Sequence, residues 1–427
     1  MVIVGDDMGY ADLGVQGCKD IPTPHLDALA NSGVRFTSGY VSGPYCSPTR
    51  AGLLTGRYQT RFGHEFNPGA NPPDIGLPLT ETTMADRFRA AGYATALVGK
   101  WHLGNNAAHH PVKRGFDEYF GFLGGAHDYF NPNGVLRGTQ PAGESGYLTD
   151  ALGREAVAFI DRNKAKPFFL YLAFNAVHTP LQADAERAKR FAGLSTAGPN
   201  GGKRPTYAAM MSAMDDAVGR VVAKLREDKL DGNTLIVFFS DNGGPTMRGT
   251  TINGSVNAPL RGSKRTTLEG GVRVPFLMAW PGRIPAGKVD DRPVIQLDVL
   301  PTALAAAGIA AKPDWKLEGV DLMPYLTGAN AAPPHEALYW RFGQQMAIRK
   351  GDWKLVKYDQ NAEGNTGTSP ARLYDLKADI GEATDLAVKH PERVAELKAD
   401  WERWNTDNVA ALWGQPAANP VKAAKKK

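Results

Sequence analysis

Five short apolar runs, at residues 1–4, 94–98, 168–174, 235–239 and 274–279, alternate with segments of helical periodicity, and this alternation constrains the fold more than any other feature. Uninterrupted apolar runs of this length are what strands covered on both faces require. Parallel strands also need crossovers, which the periodic segments at 25–32, 83–91, 149–163, 207–228 and 297–307 supply as helices. The expectation is an α/β fold: a large, mostly parallel sheet sandwiched by helices.

The residues just past each run matter more for chemistry. Residues 1–4 lead into Asp6 and Asp7, 94–98 into Lys100-Trp101-His102, 168–174 into His178, and 235–239 into Asp241-Asn242. Ligands of open α/β sheets bind beyond the carboxyl ends of the strands, so groups far apart in sequence are expected to converge on one pocket.

Near Pro333 the pattern changes. Residues 337–342, 345–349, 353–357 and 372–375 read as short antiparallel strands, interrupted by a polar loop at 359–370 and succeeded by a helix at 391–404. The organisation expected is a catalytic unit over 1–333, a small C-terminal antiparallel sheet plus helix over 334–414, and a disordered tail over 415–427.

A chain of 427 residues is long enough for such a core, and no apolar run approaches the length of a membrane span. The net charge of +5 leans toward an anionic partner, although Lys425, Lys426 and Lys427 supply part of it. Basic residues are otherwise dispersed among acids, without the clustering of a nucleic-acid surface. Two cysteines, Cys18 and Cys46, exclude a disulfide framework. The sequence opens directly into its first strand without a charged leader and apolar stretch, which reads as a cytosolic protein or one whose leader has been removed.

The segment from Gly43 to Arg57 reads as a loop entering a helix, with Pro48 in the first turn, where its missing donor costs nothing. Cys46 would then sit at the helix N-terminus, which favours an anion or thiolate, and Arg50 one turn on would face the same side. By spacing alone, Cys46 reads equally as a small buried residue.

Asp6, Asp7, Asp241 and Asn242 offer only oxygen ligands, the choice of calcium or magnesium rather than zinc. Singly, each strand-end Asp also reads as a helix cap or turn former. Lys100, His102, His178 and Lys264 would bring positive charge and proton-transfer capacity. Singly, each also reads as a structural histidine or a solvated lysine.

Taken together and in order, Gly5-Asp6-Asp7-Met8-Gly9-Tyr10, Cys46-Ser47-Pro48-Thr49-Arg50 with Leu54-Thr55-Gly56-Arg57, Gly99-Lys100-Trp101-His102-Leu103-Gly104, His178-Thr179-Pro180, Ser240-Asp241-Asn242-Gly243-Gly244 and Leu260-Arg261-Gly262-Ser263-Lys264 resemble the formylglycine-dependent type I sulfatases of the alkaline phosphatase superfamily. The CxPxR motif is the most specific of these. Trp353-Lys354-Leu355 and Leu373-Tyr374-Asp375-Leu376 resemble that family's small C-terminal subdomain.

The resemblance implies that a separate maturation enzyme oxidises Cys46 to formylglycine, whose hydrate attacks the sulfur of a sulfate ester. It implies that Asp6, Asp7, Asp241 and Asn242, with residue 46, hold calcium, magnesium being the alternative. Arg50, Lys100, His102 and Lys264 would stabilise the nucleophile and the sulfate oxygens. His178 is the expected acid for the leaving alcohol, with Lys264 as second choice, and His102 the expected base for the remaining hydroxyl. A short first strand and Gly5, where a residue such as Ala is common, accord with a trimmed N-terminus, so the resemblance implies a periplasmic or secreted origin.

The segments at 58–67 and 124–129 resemble parts of bacterial sulfatases that act on sulfated glycans. There His64, Asn67, His127 and Asp128 are expected to hydrogen-bond sugar hydroxyls, or else to shape their loops. The alternative within the superfamily is a phosphodiesterase or phosphonate monoester hydrolase. A binding protein with unmodified Cys46 is the alternative outside enzymes.

Overall fold

Each of the five apolar runs forms a strand, and all five join one ten-stranded sheet. The computed structural model describes residues 1–69, 75–143, 146–195 and 203–414. The expected tail at 415–427 lies outside the described residues. The sheet runs in the order Lys288–Asp290, Val34–Phe36, Phe276–Ala279, Ile236–Ser240, Val2–Gly5, Phe168–Ala173, Ala94–Lys100, Glu118–Phe122, Leu136–Arg137, Gln140–Pro141.

The stretch from Ile236–Ser240 through Glu118–Phe122 is parallel throughout. Phe276–Ala279 runs antiparallel to both of its neighbours. A run that is apolar on both faces carries no signal of its direction, so only the connections distinguish this strand from the others.

Alternation of side chains across the sheet divides the interior into two layers. Ile3, Val98, Leu170, Leu172 and Phe238 pack beneath the helices Pro24–Asn31, Leu148–Asn163 and Arg204–Glu227. Val2, Val4, Leu97, Tyr171 and Val237 pack on the opposite side, against Cys46–Thr55, Met84–Ala90 and Val299–Ala306. Each large side chain so buried contributes about 1.5–3 kcal/mol. No helix among the described residues is long and apolar enough to cross a membrane.

Ala337–Phe342, Gln345–Lys350, Trp353–Lys357 and Arg372–Asp375 form a second, wholly antiparallel sheet. Its Ile348, Leu355 and Leu373 pack with Leu397 of the helix Pro391–Asn405. Its other face contributes Leu338, Trp340, Ala347 and Val356 to a core shared with Tyr40, Leu268, Ile295 and Leu297.

Polar groups also cross this seam. Lys354 Nζ lies 2.8 Å from Glu269 and 3.0 Å from Glu382, all three side chains excluded from solvent. Glu269 further accepts from Tyr40 at 2.6 Å and Arg273 at 3.1 Å. Gln345 donates to the Arg265 carbonyl at 2.9 Å and accepts from the Thr267 amide at 3.2 Å. The small sheet therefore grips the loop that carries Lys264.

Candidate active site

The site sits where the parallel strands end. After Val2–Gly5 the backbone turns sharply at Asp7, whose φ of 62° is a left-handed conformation that Asp tolerates better than most residues. The turn is held by the Asp6 amide donating to Ala176 O at 2.9 Å and the Asp7 amide to Asp241 Oδ1 at 3.3 Å. Ser240 tightens it from the neighbouring strand, accepting from the Met8 amide at 3.0 Å and donating to Asn242 O at 2.8 Å. The Gly243 amide bonds Gly271 O at 3.0 Å, and a Cβ there would lie 1.8 Å from Gly270 O, so only glycine allows this approach.

Cys46 opens the helix Cys46–Thr55, every residue of which is buried, and Gly56 closes it at φ 68°. Ser42, Gln59 and Gln296 form a network beside it, bonded to one another at 2.6–2.9 Å, from which Gln296 Nε2 reaches the Thr49 carbonyl at 3.5 Å. Arg50, one turn on from Cys46, reaches Asp241 Oδ2 with Nε at 3.0 Å and Nη2 at 2.7 Å, and Asp6 Oδ2 at 3.6 Å. Cys46 Sγ lies 3.8 Å from Asp6 Oδ1.

Two lysines complete the cluster. Lys100 donates to Asp6 Oδ2 at 2.5 Å, and Lys264 to both oxygens of Asp7 at 2.6 and 2.9 Å. Asp6, Asp7 and Asp241 thus face Arg50, Lys100 and Lys264, three carboxylates against three cations, all side chains nearly or wholly excluded from water. A cluster balanced in this way becomes electropositive once it takes a metal ion, which suits an anionic ester.

The donor set fits a hard divalent cation. Ligand atoms of Asp6, Asp7, Cys46 and His178 all lie within 4.8 Å of one another. Asn242 donates to Asp7 Oδ1 at 2.7 Å, while its own Oδ1 is buried with no donor, an acceptor that a cation would satisfy.

Burial governs the ionisation of these groups. It pushes the Cys46 thiol up to about 12, outweighing Lys100 and Lys264. The thiolate expected from the helix terminus is therefore not favoured: loss of water outweighs the helix dipole. Burial works against the Asp7 carboxylate too, but Lys264 and His178 overcome it and hold Asp7 below the usual range. Asp241 is raised by burial and by the Asp6 charge. His102 is held well below its ordinary value by burial and then by Lys100 and Arg50. His178 is lowered by burial against the pull of Asp7.

His178 Nδ1 lies 2.5 Å from Thr179 O, which assigns the proton to that nitrogen and leaves Nε2 facing Asp7 Oδ2 at 3.6 Å. His102, at φ 59°, has its Nδ1 buried without a partner. A Cβ at Gly125 would lie 2.5 Å from His102 Nε2, so glycine there makes room for the ring.

A cavity of about 460 Å³ opens over this cluster, and Tyr45, Asn67, His102, His178, Lys264 and Arg265 are among the residues lining it. Of the four residues expected near sugar hydroxyls, Asn67 is on this wall, accepting from the Ser47 amide at 3.0 Å. His64 lies beneath, fully buried, 2.6 Å from Ser47 Oγ, with Trp413 against its ring at 4.7 Å. His127 has its ring nitrogens 2.6 Å from Asp128 O and 2.9 Å from Asn133 O. Asp128 accepts from Phe130, Asn131 and Gln182. None of these three lines the cavity.

Sequence reasoning missed Ser47, Thr251 and Asn253. Ser47 joins His64 to the His102 carbonyl, at 2.6 Å on each side. Thr251 donates to Asp7 Oδ2 at 3.1 Å, and Asn253 ties the carbonyls of Asp7 and Val177 at 3.0 and 2.9 Å. Thr251 and Asn253 lie on an irregular loop with no periodic signal, and only the position of Ser47 inside CxPxR hinted at a role.

An α/β sheet that gathers an oxygen donor set, permanent cations and a buried helix-terminal residue at its carboxyl edge defines a hydrolase site for an anionic ester. The sulfatase family model matches residues 1–309, and the model of the C-terminal region of N-sulphoglucosamine sulphohydrolase matches residues 262–404. The chain is 37% identical to N-acetylgalactosamine-6-sulfatase of Sus scrofa over 382 residues, 83% of this chain and 70% of that protein. It is 34% identical to arylsulfatase A of Bos taurus over 437 residues, 90% of this chain and 82% of that protein. Among solved structures, Ps i-CgsB in complex with k-i-k-neocarrahexaose superposes with a TM-score of 0.89 at 38% identity, covering 97% of this chain and 94% of that one. The chain belongs to the sulfatase family, as a type I sulfatase of the alkaline phosphatase superfamily, and is a sulfuric ester hydrolase.

Proposed function

We propose that the protein hydrolyses a sulfate ester on a sulfated carbohydrate, using residue 46 in its formylglycine form and a calcium ion held by Asp6, Asp7, Asp241 and Asn242. The observation that carries this reading is the 3.8 Å approach of Cys46 to Asp6 inside a buried cluster of carboxylates and fixed cations. The carbohydrate is suggested by the relatives, one named for a galactosamine sulfate and one solved with a neocarrahexaose.

A buried thiol pushed up to about 12 is a poor nucleophile at neutral pH, which agrees with a site that works through a modified residue rather than a thiolate. In its modified form residue 46 would supply a hydroxyl nucleophile, and a divalent cation held by Asp6, Asp7, Asp241 and Asn242 would lower the pKa of that hydroxyl. Arg50 holds Asp241, and so the cation site, in register with residue 46. Lys100 and Lys264 would neutralise the sulfate oxygens as negative charge shifts in the transition state. His178 lines the cavity with its Nε2 3.6 Å from Asp7 Oδ2 and, once protonated, would donate to the departing alcohol oxygen. His102, kept neutral by burial and its cationic neighbours, takes the proton of the remaining hydroxyl when sulfate leaves.

This reading requires a formylglycine-generating partner and implies export to the periplasm or exterior, where sulfated glycans are met. Co-expression with such a partner should lower the intact mass of the peptide containing residue 46 and switch on sulfate release from sulfated oligosaccharides. Sulfate release by protein in which that peptide retains an unmodified cysteine would overturn it.

A further inference from the structure

Arg265 is a cation on the cavity wall that no part of the reaction above uses. Its neighbour Lys264 is occupied by Asp7, whereas no carboxylate among the described residues pairs with Arg265. Among the described residues the guanidinium makes one hydrogen bond, to Gly249 O at 3.2 Å, and it rests 5.8 Å from the centre of the Tyr45 ring. Its Nε is buried without an acceptor. Among the described residues, none that line the cavity is an Asp or Glu.

This placement is built rather than incidental. Arg265 adopts φ 72°, a left-handed conformation that is unfavourable for an Arg and that neighbouring contacts must enforce. They do so at both ends: the Arg265 amide donates to Pro44 O at 2.7 Å, and its carbonyl accepts from Gln345 at 2.9 Å. The turn sends Lys264 and Arg265, consecutive in sequence, into one cavity, where their cationic ends lie 5.5 and 5.8 Å from the same Tyr45 ring. A half-buried guanidinium that no described carboxylate pairs, on a wall where the described residues include no acid, is a site for an anion.

We propose that Arg265 binds a second anionic substituent of the substrate, a sulfate or carboxylate beside the scissile ester, and so selects polyanionic carbohydrates. The inference rests on the sulfatase reading above for its first anion. It adds a specificity-determining contact distinct from the cluster around Asp7.

Three aryl esters test it, each compared with itself so that leaving-group differences cancel: 4-nitrophenyl sulfate, 4-nitrocatechol disulfate, and 4-nitrophenyl sulfate bearing a ring carboxylate. Arg265→Asn removes the guanidinium while keeping a residue that tolerates the left-handed backbone. It should raise KM for the two probes with a second anion by roughly tenfold more than for 4-nitrophenyl sulfate, and Arg265→Lys should recover part of the loss. A loss confined to the disulfate assigns the site to sulfate, and a loss on both probes assigns it to either anion. The same increase on all three esters overturns the proposal.

Calorimetric binding of 4-nitrocatechol disulfate to protein with unmodified Cys46 needs no turnover. If no ester is cleaved but this binding weakens in Arg265→Asn, the sulfatase reading fails and the anion site stands. If binding is indifferent to Arg265, the anion site falls whatever the enzyme hydrolyses.

Discussion

Lys264 closes its ammonium over both carboxylate oxygens of Asp7, at 2.6 and 2.9 Å, in a place that water barely reaches. Removing one partner of such a pair leaves the other charge buried and uncompensated. Lys264→Met should therefore lower the unfolding free energy of calcium-free protein by about 3 kcal/mol. Calcium should return more stability to the variant than to the parent, because the ion supplies the charge Asp7 has lost. Denaturant unfolding with and without calcium measures both effects, and equal gains would count against Asp7 as a ligand.

Cys46→Ala should abolish sulfate release while leaving the unfolding midpoint near that of the parent, since among the described residues the thiol's hydrogen bonding is one long 3.8 Å contact with Asp6. In unmodified protein, a thiol pushed up to about 12 leaves about one part in ten thousand as thiolate at pH 8. Iodoacetamide should alkylate residue 46 far more slowly in the folded state than in urea, as read by peptide mass.

His178→Ala should cost about 100-fold or more in kcat/KM for esters of alkyl alcohols, where the leaving oxygen needs a proton, and much less for nitrophenyl esters. The slope of rate against leaving-group pKa is the measurement. An unchanged slope would remove His178 from the role of acid.

Away from the site, His335 Nε2 lies 2.8 and 2.9 Å from the two oxygens of buried Asp298. Burial opposes the charge on His335, but Asp298 prevails and raises it above its ordinary value. The native state therefore holds this proton more tightly than the unfolded chain. The resulting stability is complete below about pH 6.5 and is lost as pH rises through the higher folded-state value. Unfolding midpoints measured across that range should decline in the parent, and the decline should flatten in His335→Gln.

The sheet and its carboxyl edge were legible because continuous apolar runs mark strands buried on both faces, and Asp6, Lys100, His178 and Asp241 each come just after one of them. The antiparallel course of Phe276–Ala279 was not, since an all-apolar strand looks the same in either direction. Ser47, Thr251 and Asn253 escaped because their partners come from distant loops whose approach no local pattern encodes. The ionisation of Cys46 reversed the expectation because a helix terminus can be read from spacing, whereas exclusion of water from a fully buried helix cannot.

Gln345 and Lys354 reach from the small sheet into the loop between Arg261 and Arg273, fixing Arg265 at one end and Glu269 at the other. Catalytic geometry and the C-terminal third of the chain are thus one inheritance. A chimera that grafted this sheet from a relative would transplant the setting of Lys264 and Arg265 along with it, so substrate choice could drift through exchanges that never touch a residue of the cavity.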